Sequence, residues 1–248
     1  MNNTTPDKNG QPEETVLTIS TDDLNKLDIE TLPLTPVVLD EKSRRKEIES
    51  ACKKLRERPF IGFDTETKPS FKKGTQHPVS LLQLANDSTV VLVRLVSIQD
   101  FEAPKWDPLK RLLASPLILK AGVGIHDDAL GLAKDHGLIT HNTIDLRSLA
   151  KADSMDVLSL TKIYSILFGK RLSKRQQLSD WERHELSDAQ KNYAGLDAYA
   201  GFKIFEKLRH LATPQMITKK LYGGQKSGKR VPKRAKRQTS PQEGTKQE

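Results

Sequence analysis

"FIGFDTET", residues 60–67, is an apolar run that ends in two carboxylates one residue apart, Asp64 and Glu66. Its short length and β-forming content read as a buried strand. Residues i and i+2 of a strand share a face, so both carboxylates point the same way, about 7 Å apart by the strand rise. Like charges placed side by side repel and raise each other's pKa unless a cation neutralises them. The pair reads either as a strand running out into a solvated acidic turn or as part of a cation site.

Working outward, "EKSRRKEIESACKKLRER" sets Ile48, Cys52 and Leu55 on one helical stripe that Pro59 closes. On the other side, "VSLLQLA" (79–85) and "TVVLVRL" (89–95) are β-rich runs separated by "NDS", which predicts an antiparallel meander of three strands. Beyond the meander, helices and strands alternate. "WDPLKRLLAS" reads as a helix, "LILKAGVG" as a buried strand, "DDALGLAKDHG" as a helix stopped by Gly137, and "NTIDLRSLA" as a further short strand. "SLTKIYSILFGK" is helical in spacing, and the long helix "LSDAQKNYAGLDAYAGFKIFEKLRHLA" ends before Pro214. The expected fold is α/β over residues 41–212, a central mixed β-sheet of three antiparallel strands then two parallel, flanked by helices.

The net charge of +9 is unevenly spread. Residues 1–40 hold two basic and eight acidic residues and little apolar content, the composition of a loosely ordered acidic leader in which "LPLTPVVLD" packs as an extended arm. Residues 213–248 hold ten basic and two acidic residues without apolar periodicity, a basic tail expected to be disordered. A basic domain with a strongly basic tail points to a polyanionic partner, most simply nucleic acid. No run approaches the roughly 18 apolar residues of a membrane span, and the N-terminus lacks signal-peptide character. The single cysteine, Cys52, excludes an intrachain disulfide and a multi-cysteine zinc site. These features fit a cytoplasmic protein with no membrane partner, and they leave its oligomeric state unspecified.

Three segments bring carboxylates to useful positions. The first holds Asp64 and Glu66. In "KAGVGIHDD" a buried strand passes through a glycine turn into a helix and presents Asp127 and Asp128 beside the turn. In "YAGLDAYAG", Tyr193 and Asp197 lie four residues apart on one helical face. Together such carboxylates suit two hard divalent cations, Mg²⁺ or Mn²⁺, of the kind that promote phosphodiester cleavage. Two rival patterns fail. A dinucleotide-binding turn would place its third glycine at Asp127, where a carboxylate repels pyrophosphate, and His126, His136 and His141 have no compact zinc spacing.

"FDTET", "KAGVGIHDD" and "YAGLDAYA" resemble the three motifs of the DEDD exonuclease superfamily in its tyrosine-bearing (DEDDy) branch, which has a ribonuclease-H-like fold. The similarity is greatest to the exonuclease domain of the Werner syndrome protein and more distant to ribonuclease D. It implies that Asp64, Glu66, Asp128 and Asp197 are metal ligands and that Tyr193 orients water. It also implies a 3′-5′ exonuclease with two metal ions acting on a DNA or RNA 3′ end. DNA is slightly favoured; ribonuclease-D-like RNA trimming and a non-catalytic nucleic-acid-binding module are the alternatives. From the residues themselves, Thr65 between the first two carboxylates is expected to meet a terminal nucleotide. Lys174 and Arg175, in the cationic loop that also holds Lys170 and Arg171, are expected to meet the phosphate backbone.

Overall fold

A computed structural model describes residues 16–219 except 73, 75 and 158. Its strands are β1 (Val37–Leu39), β2 (Phe60–Thr67), β3 (Val79–Ala85), β4 (Val90–Val93), β5 (Leu119–Gly122), β6 (Thr143–Asp145) and β7 (Ile217–Thr218). Its helices are α1 (Thr21–Lys26), α2 (Arg45–Leu55), α3 (Asp107–Leu113), α4 (Ile125–His136), α5 (Leu146–Ala152), α6 (Leu160–Phe168) and α7 (Asp188–Leu208). The strands form one sheet in the order β1-β4-β3-β2-β5-β6-β7. β2, β3 and β4 are the expected antiparallel meander, and β5 and β6 extend it in parallel from β2. β2 is therefore central and hydrogen-bonded on both sides, which fixes the direction in which its terminal carboxylates point.

The period-two alternation of β2 divides the core. Ile61 and Phe63 face one layer, where they join Ile48 and Leu55 of α2, Trp106, Leu109 of α3 and Leu132 of α4. Phe60 faces the other, in contact with α7: its ring lies 5.0 Å from that of Phe202 and 4.9 Å from that of Phe205. Aromatic pairs of this kind add about 0.5–1.5 kcal/mol each beyond their burial. Gly62, on the same face as Phe60, has no side chain, and there α7 touches the sheet backbone. Cys52 is buried within the first layer, where burial pushes its thiol up to about 12, so it behaves as a small apolar residue.

The sheet reaches further than the sequence suggested. β1 pairs in parallel with β4, so residues 37–39, within the stretch expected to pack as an extended arm, are an edge strand of the sheet. Residues 16–36 are also tied down: Leu17 bridges to Met155 and Ile29 to Arg171. At the other end, Ile217 and Thr218 pair antiparallel with Ile144 and Thr143, so the fold continues past residue 212. The expected disorder of the tail beyond residue 219 lies outside the described residues. "NTIDLRSLA" divides into β6 and α5 because the Asp145 side chain caps the new helix through the Arg147 amide, and Leu146, Leu149 and Ala150 then recur at helical spacing. Inside β5, Lys120 is fully buried, its ammonium donating to Ser115 O (2.9 Å) and Ile118 O (2.8 Å). Burial lowers its pKa to about 7.

Candidate active site

β2 and α7 supply the centre of the site. Asp64 and Glu66 share the β2 face turned toward α7, and Asp197 on α7 completes a cluster whose carboxylate oxygens lie within 4.8 Å of one another. α7 can lie this close because Ala194, Gly195, Ala198 and Gly201 present small side chains to the sheet. The pairing of β2 with β3 shifts register between Glu66 and Thr67, so the ladder becomes irregular at the last ligand-bearing position. Behind Asp64, across the β2–β3 pair, stands the buried Gln83. Its amide, oriented to satisfy both neighbours, donates to Asp64 Oδ2 (3.3 Å) and Ala194 O (3.2 Å).

Asp128 stands apart from this cluster. It lies in the first turn of α4, where its Oδ1 accepts the Thr65 hydroxyl at 2.6 Å and its charge reaches Asp64 and Glu66. The chain reaches this position through Gly124, whose left-handed backbone (φ 73°) caps α4. Thr65 does line the carboxylate cavity, but its hydroxyl is engaged by Asp128. The four carboxylates foreseen in the sequence are thus arranged as three together and one across the strand end.

Their electrostatics are those of a cation site. Burial, then the charges of Asp197, Asp128 and Glu66, raises Asp64 well above the usual carboxylate range. Burial, then Asp197 and Asp128, pushes Glu66 up to about 9. Burial raises Asp197 to about 7 against the opposing hydrogen bond from Tyr193. Burial raises Asp128 to about 6, with the Thr65 hydroxyl pulling the other way. Burial and the adjacent carboxylates of Asp197 and Glu66 keep the Tyr193 phenol protonated far beyond its ordinary value. Hard carboxylate oxygens that repel one another at this separation fit a divalent cation.

A pH effect on stability follows, with its sign opposite to that of salt-bridged acids. Between about pH 4 and 9 the folded protein retains protons that the unfolded chain has released. The stabilisation is therefore complete below about pH 4 and is lost as pH rises through 6, 7 and 9. In chelator, the melting temperature is expected to fall by about 5–10 °C between pH 5 and pH 9. Millimolar divalent cation should recover most of that loss at pH 9, and Glu66→Gln should shrink the slope. A chelator melting curve that is flat across this range would contradict the arrangement.

Asp64, Glu66 and Asp197 line a cavity of ≈ 270 Å³ together with Tyr193, Ser173, Lys174, Gln177 and Thr161. Of the four cations foreseen beside the site, Lys174 lines the carboxylate cavity and Arg175 an adjoining one. Lys170 instead pairs with Glu30 (3.0 Å), and Arg171 Nε donates to Leu27 O (3.0 Å). Trp181 is fully buried and its ring lies 6.0 Å from that of Tyr193, so it supports the tyrosine from within the core. Gln83, Gln177 and Thr161 were not foreseen. Gln83 alone carried a signal, as the one amide in the otherwise apolar interior of "VSLLQLA".

Residues 42–212, the segment that contributes Asp64, Glu66, Asp128 and Asp197, match the 3′-5′ exonuclease family. The chain belongs to that family. Over 174 residues it is 32% identical to the mouse (Mus musculus) bifunctional 3′-5′ exonuclease/ATP-dependent helicase WRN, a match covering 68% of this chain and 12% of that protein. Over 157 residues it is 32% identical to a 3′-5′ exonuclease of Arabidopsis thaliana, covering 61% of this chain and 53% of the relative. The chain thus spans only part of the length of these relatives. In fold it resembles the crystal structure of Escherichia coli RNase D, an exoribonuclease involved in structured RNA processing, with a TM-score of 0.59, 24% identity, and coverage of 72% of this chain and 45% of that one. The fold is the ribonuclease-H-like α/β arrangement of these exonuclease domains.

Proposed function

We propose that this chain removes nucleotides from the 3′ end of a nucleic acid by metal-dependent hydrolysis. The observation that carries the proposal is the cluster of Asp64, Glu66 and Asp197, with oxygens within 4.8 Å, in a cavity that Lys174 also lines. Asp64, Glu66 and Asp197 would hold one divalent cation, and Asp128 would serve a second from across the strand end. Mg²⁺ or Mn²⁺ bound there supplies Lewis-acid stabilisation of the charge that develops at the phosphodiester. Lys174 meets the phosphate backbone, and Arg175 extends that contact on the far side of Ser173. Tyr193, held protonated, is a hydrogen-bonding group rather than a base, and its place beside Asp197 lets it orient the attacking water. DNA is the favoured substrate and RNA the second reading, which the likeness to an exoribonuclease keeps in play.

The test is digestion of 5′-labelled DNA and RNA, single-stranded and duplex, with Mg²⁺, Mn²⁺ or chelator. The expected product is a ladder of 3′-shortened strands that retain the label and vanish in chelator. Release of the label as the first product, or digestion indifferent to chelator, would overturn the proposal. Tyr193→Phe keeps the ring against Trp181 but removes the hydroxyl. It should lower kcat by roughly ten- to a hundred-fold with little change in KM, an orientation effect at the small end of acid–base contributions. An unchanged kcat would remove Tyr193 from the mechanism.

A further inference from the structure

We propose that the arm of residues 27–36 contributes, through Glu30, Thr31 and Leu32, to a nucleobase subsite beside the carboxylates, an inference that rests on the exonuclease reading. These residues precede the segment that matches the family. A second cavity of ≈ 280 Å³ lies against the first, lined by Leu32 from this arm, Arg175 and Gln176 from the loop after α6, and Asn192, Tyr193 and Leu196 from α7. Ser173, Tyr193 and Asp197 line both cavities, so the two meet where the scissile phosphate would sit.

The arm is built in rather than draped over the surface. Glu30 N donates to Arg171 O (2.9 Å) and Arg171 N to Asp28 O (2.9 Å), a local strand-like bridge. The Glu30 carboxylate accepts the Tyr164 hydroxyl (2.9 Å) and Lys170 Nζ (3.0 Å), so its charge is neutralised at the cavity wall. Leu32 packs directly on α7 at Gly195, where an added Cβ would stand 2.7 Å from Leu32 Cδ2. The glycine at that helical position is thus what admits the arm.

The chemistry of the lining suits a planar base. Leu32 and Leu196 offer apolar surface, Asn192 and Gln176 offer amides that can pair with a base edge, and the Arg175 guanidinium can stack on the base or meet the adjoining phosphate. The space is about that of one nucleotide. The occupant is therefore the base of a nucleotide that adjoins the scissile phosphate.

Two exposures of the same proteins test this. Steady-state digestion by wild type, Leu32→Ala and Asn192→Ala would use an intact single strand and strands lacking the base at the terminal or the penultimate position. Each variant should raise KM on the intact strand by roughly ten-fold, the scale of one lost base contact. The penalty should fall below about two-fold on whichever strand lacks the base that the cavity holds. A penalty of equal size on all three strands, or none, overturns the subsite. Titration with AMP and dAMP reads the cavity without turnover, and both variants should bind at least about five-fold more weakly than wild type. Equal nucleotide binding by wild type and both variants overturns the subsite even where digestion proceeds. An inactive wild type whose nucleotide binding is nonetheless lost in the variants overturns the exonuclease reading instead. Asn192 is exposed on α7, so its variant guards against an effect of Leu32→Ala on folding.

Discussion

Asp64→Asn should abolish digestion, with kcat/KM reduced at least about a thousand-fold, equivalent to roughly 4 kcal/mol of transition-state stabilisation. The substitution is isosteric and leaves β2 paired with β3 and β5. It removes a carboxylate whose charge is opposed by its surroundings: burial first, then Asp197, Asp128 and Glu66. The same change should therefore make the metal-free protein more stable at pH 8, because an amide escapes the cost of either ionising a buried carboxyl among like charges or holding it protonated above its ordinary pKa. Loss of activity together with a higher melting temperature in chelator separates a catalytic role from a structural one. Asp197→Asn should behave alike in activity, since it belongs to the same cluster. Both variants should also lose most of the thermal stabilisation that divalent cations give the wild type. Metal-dependent digestion that survives both substitutions would end the assignment.

Gly62→Ala should be the most damaging single methyl in the domain. A Cβ there would stand 1.9 Å from Ala198 O and 2.6 Å from Phe202 N. Both are backbone atoms of α7, so no rotamer change relieves the clash, and the helix must retreat by more than an ångström. Overpacking of this kind costs about 1–3 kcal/mol where side chains can yield, and more where they cannot. A loss of at least about 3 kcal/mol is expected, which for a domain of this size lowers the melting temperature by roughly 6–12 °C. Activity should suffer beyond stability, because Tyr193 and Asp197 ride on α7 and Asp64 and Glu66 on β2. Misplacement by about an ångström can cost a hundred-fold. Gly201→Ala is the control: its Cβ would meet Ala121 O at 3.2 Å, a contact that small shifts can absorb. A Gly62→Ala protein as stable and active as Gly201→Ala would mean that α7 does not lie on β2 at this register.

Much of this architecture could be read before any coordinates. The meander and the alternation after it were legible because their apolar periods are long, and Gly137, Gly169 and Pro214 punctuate them. β1 and β7 were not legible, because short strands at the two edges of the sheet, in segments without a repeating apolar pattern, are specified by the neighbours they pair with. For the same reason only "LPLTPVVLD", which begins at Leu32, was legible as a packed arm, since the polar composition of the residues before it conceals the few, Ile29 among them, that anchor them. Sequence alone identified the five acidic and phenolic candidates, Asp64, Glu66, Asp128, Tyr193 and Asp197, through ordered motifs. It could not show that Thr65 turns to Asp128, because successive residues of a strand face opposite layers and the partner comes from α4, 63 residues away. Nor could it separate Lys170 and Arg171, which fasten the arm, from Lys174 and Arg175, which line cavities. Four cations in one loop look alike until the arm's acceptors are in place.

β1 also bears on how this protein can be cut. It is an outer strand of the sheet, and its three residues cover the backbone of β4 from Val91 to Val93, in a strand whose side chains are all buried. A fragment trimmed to the family boundary at residue 42 would strip off that cover and leave β4 as a bare, apolar, valine-rich border with its amides and carbonyls unpaired. Such a border is a template for pairing with another chain. The short polar-flanked segment before the domain therefore serves the solubility of the whole molecule, acting as a selvedge that keeps the sheet from being extended by its neighbours.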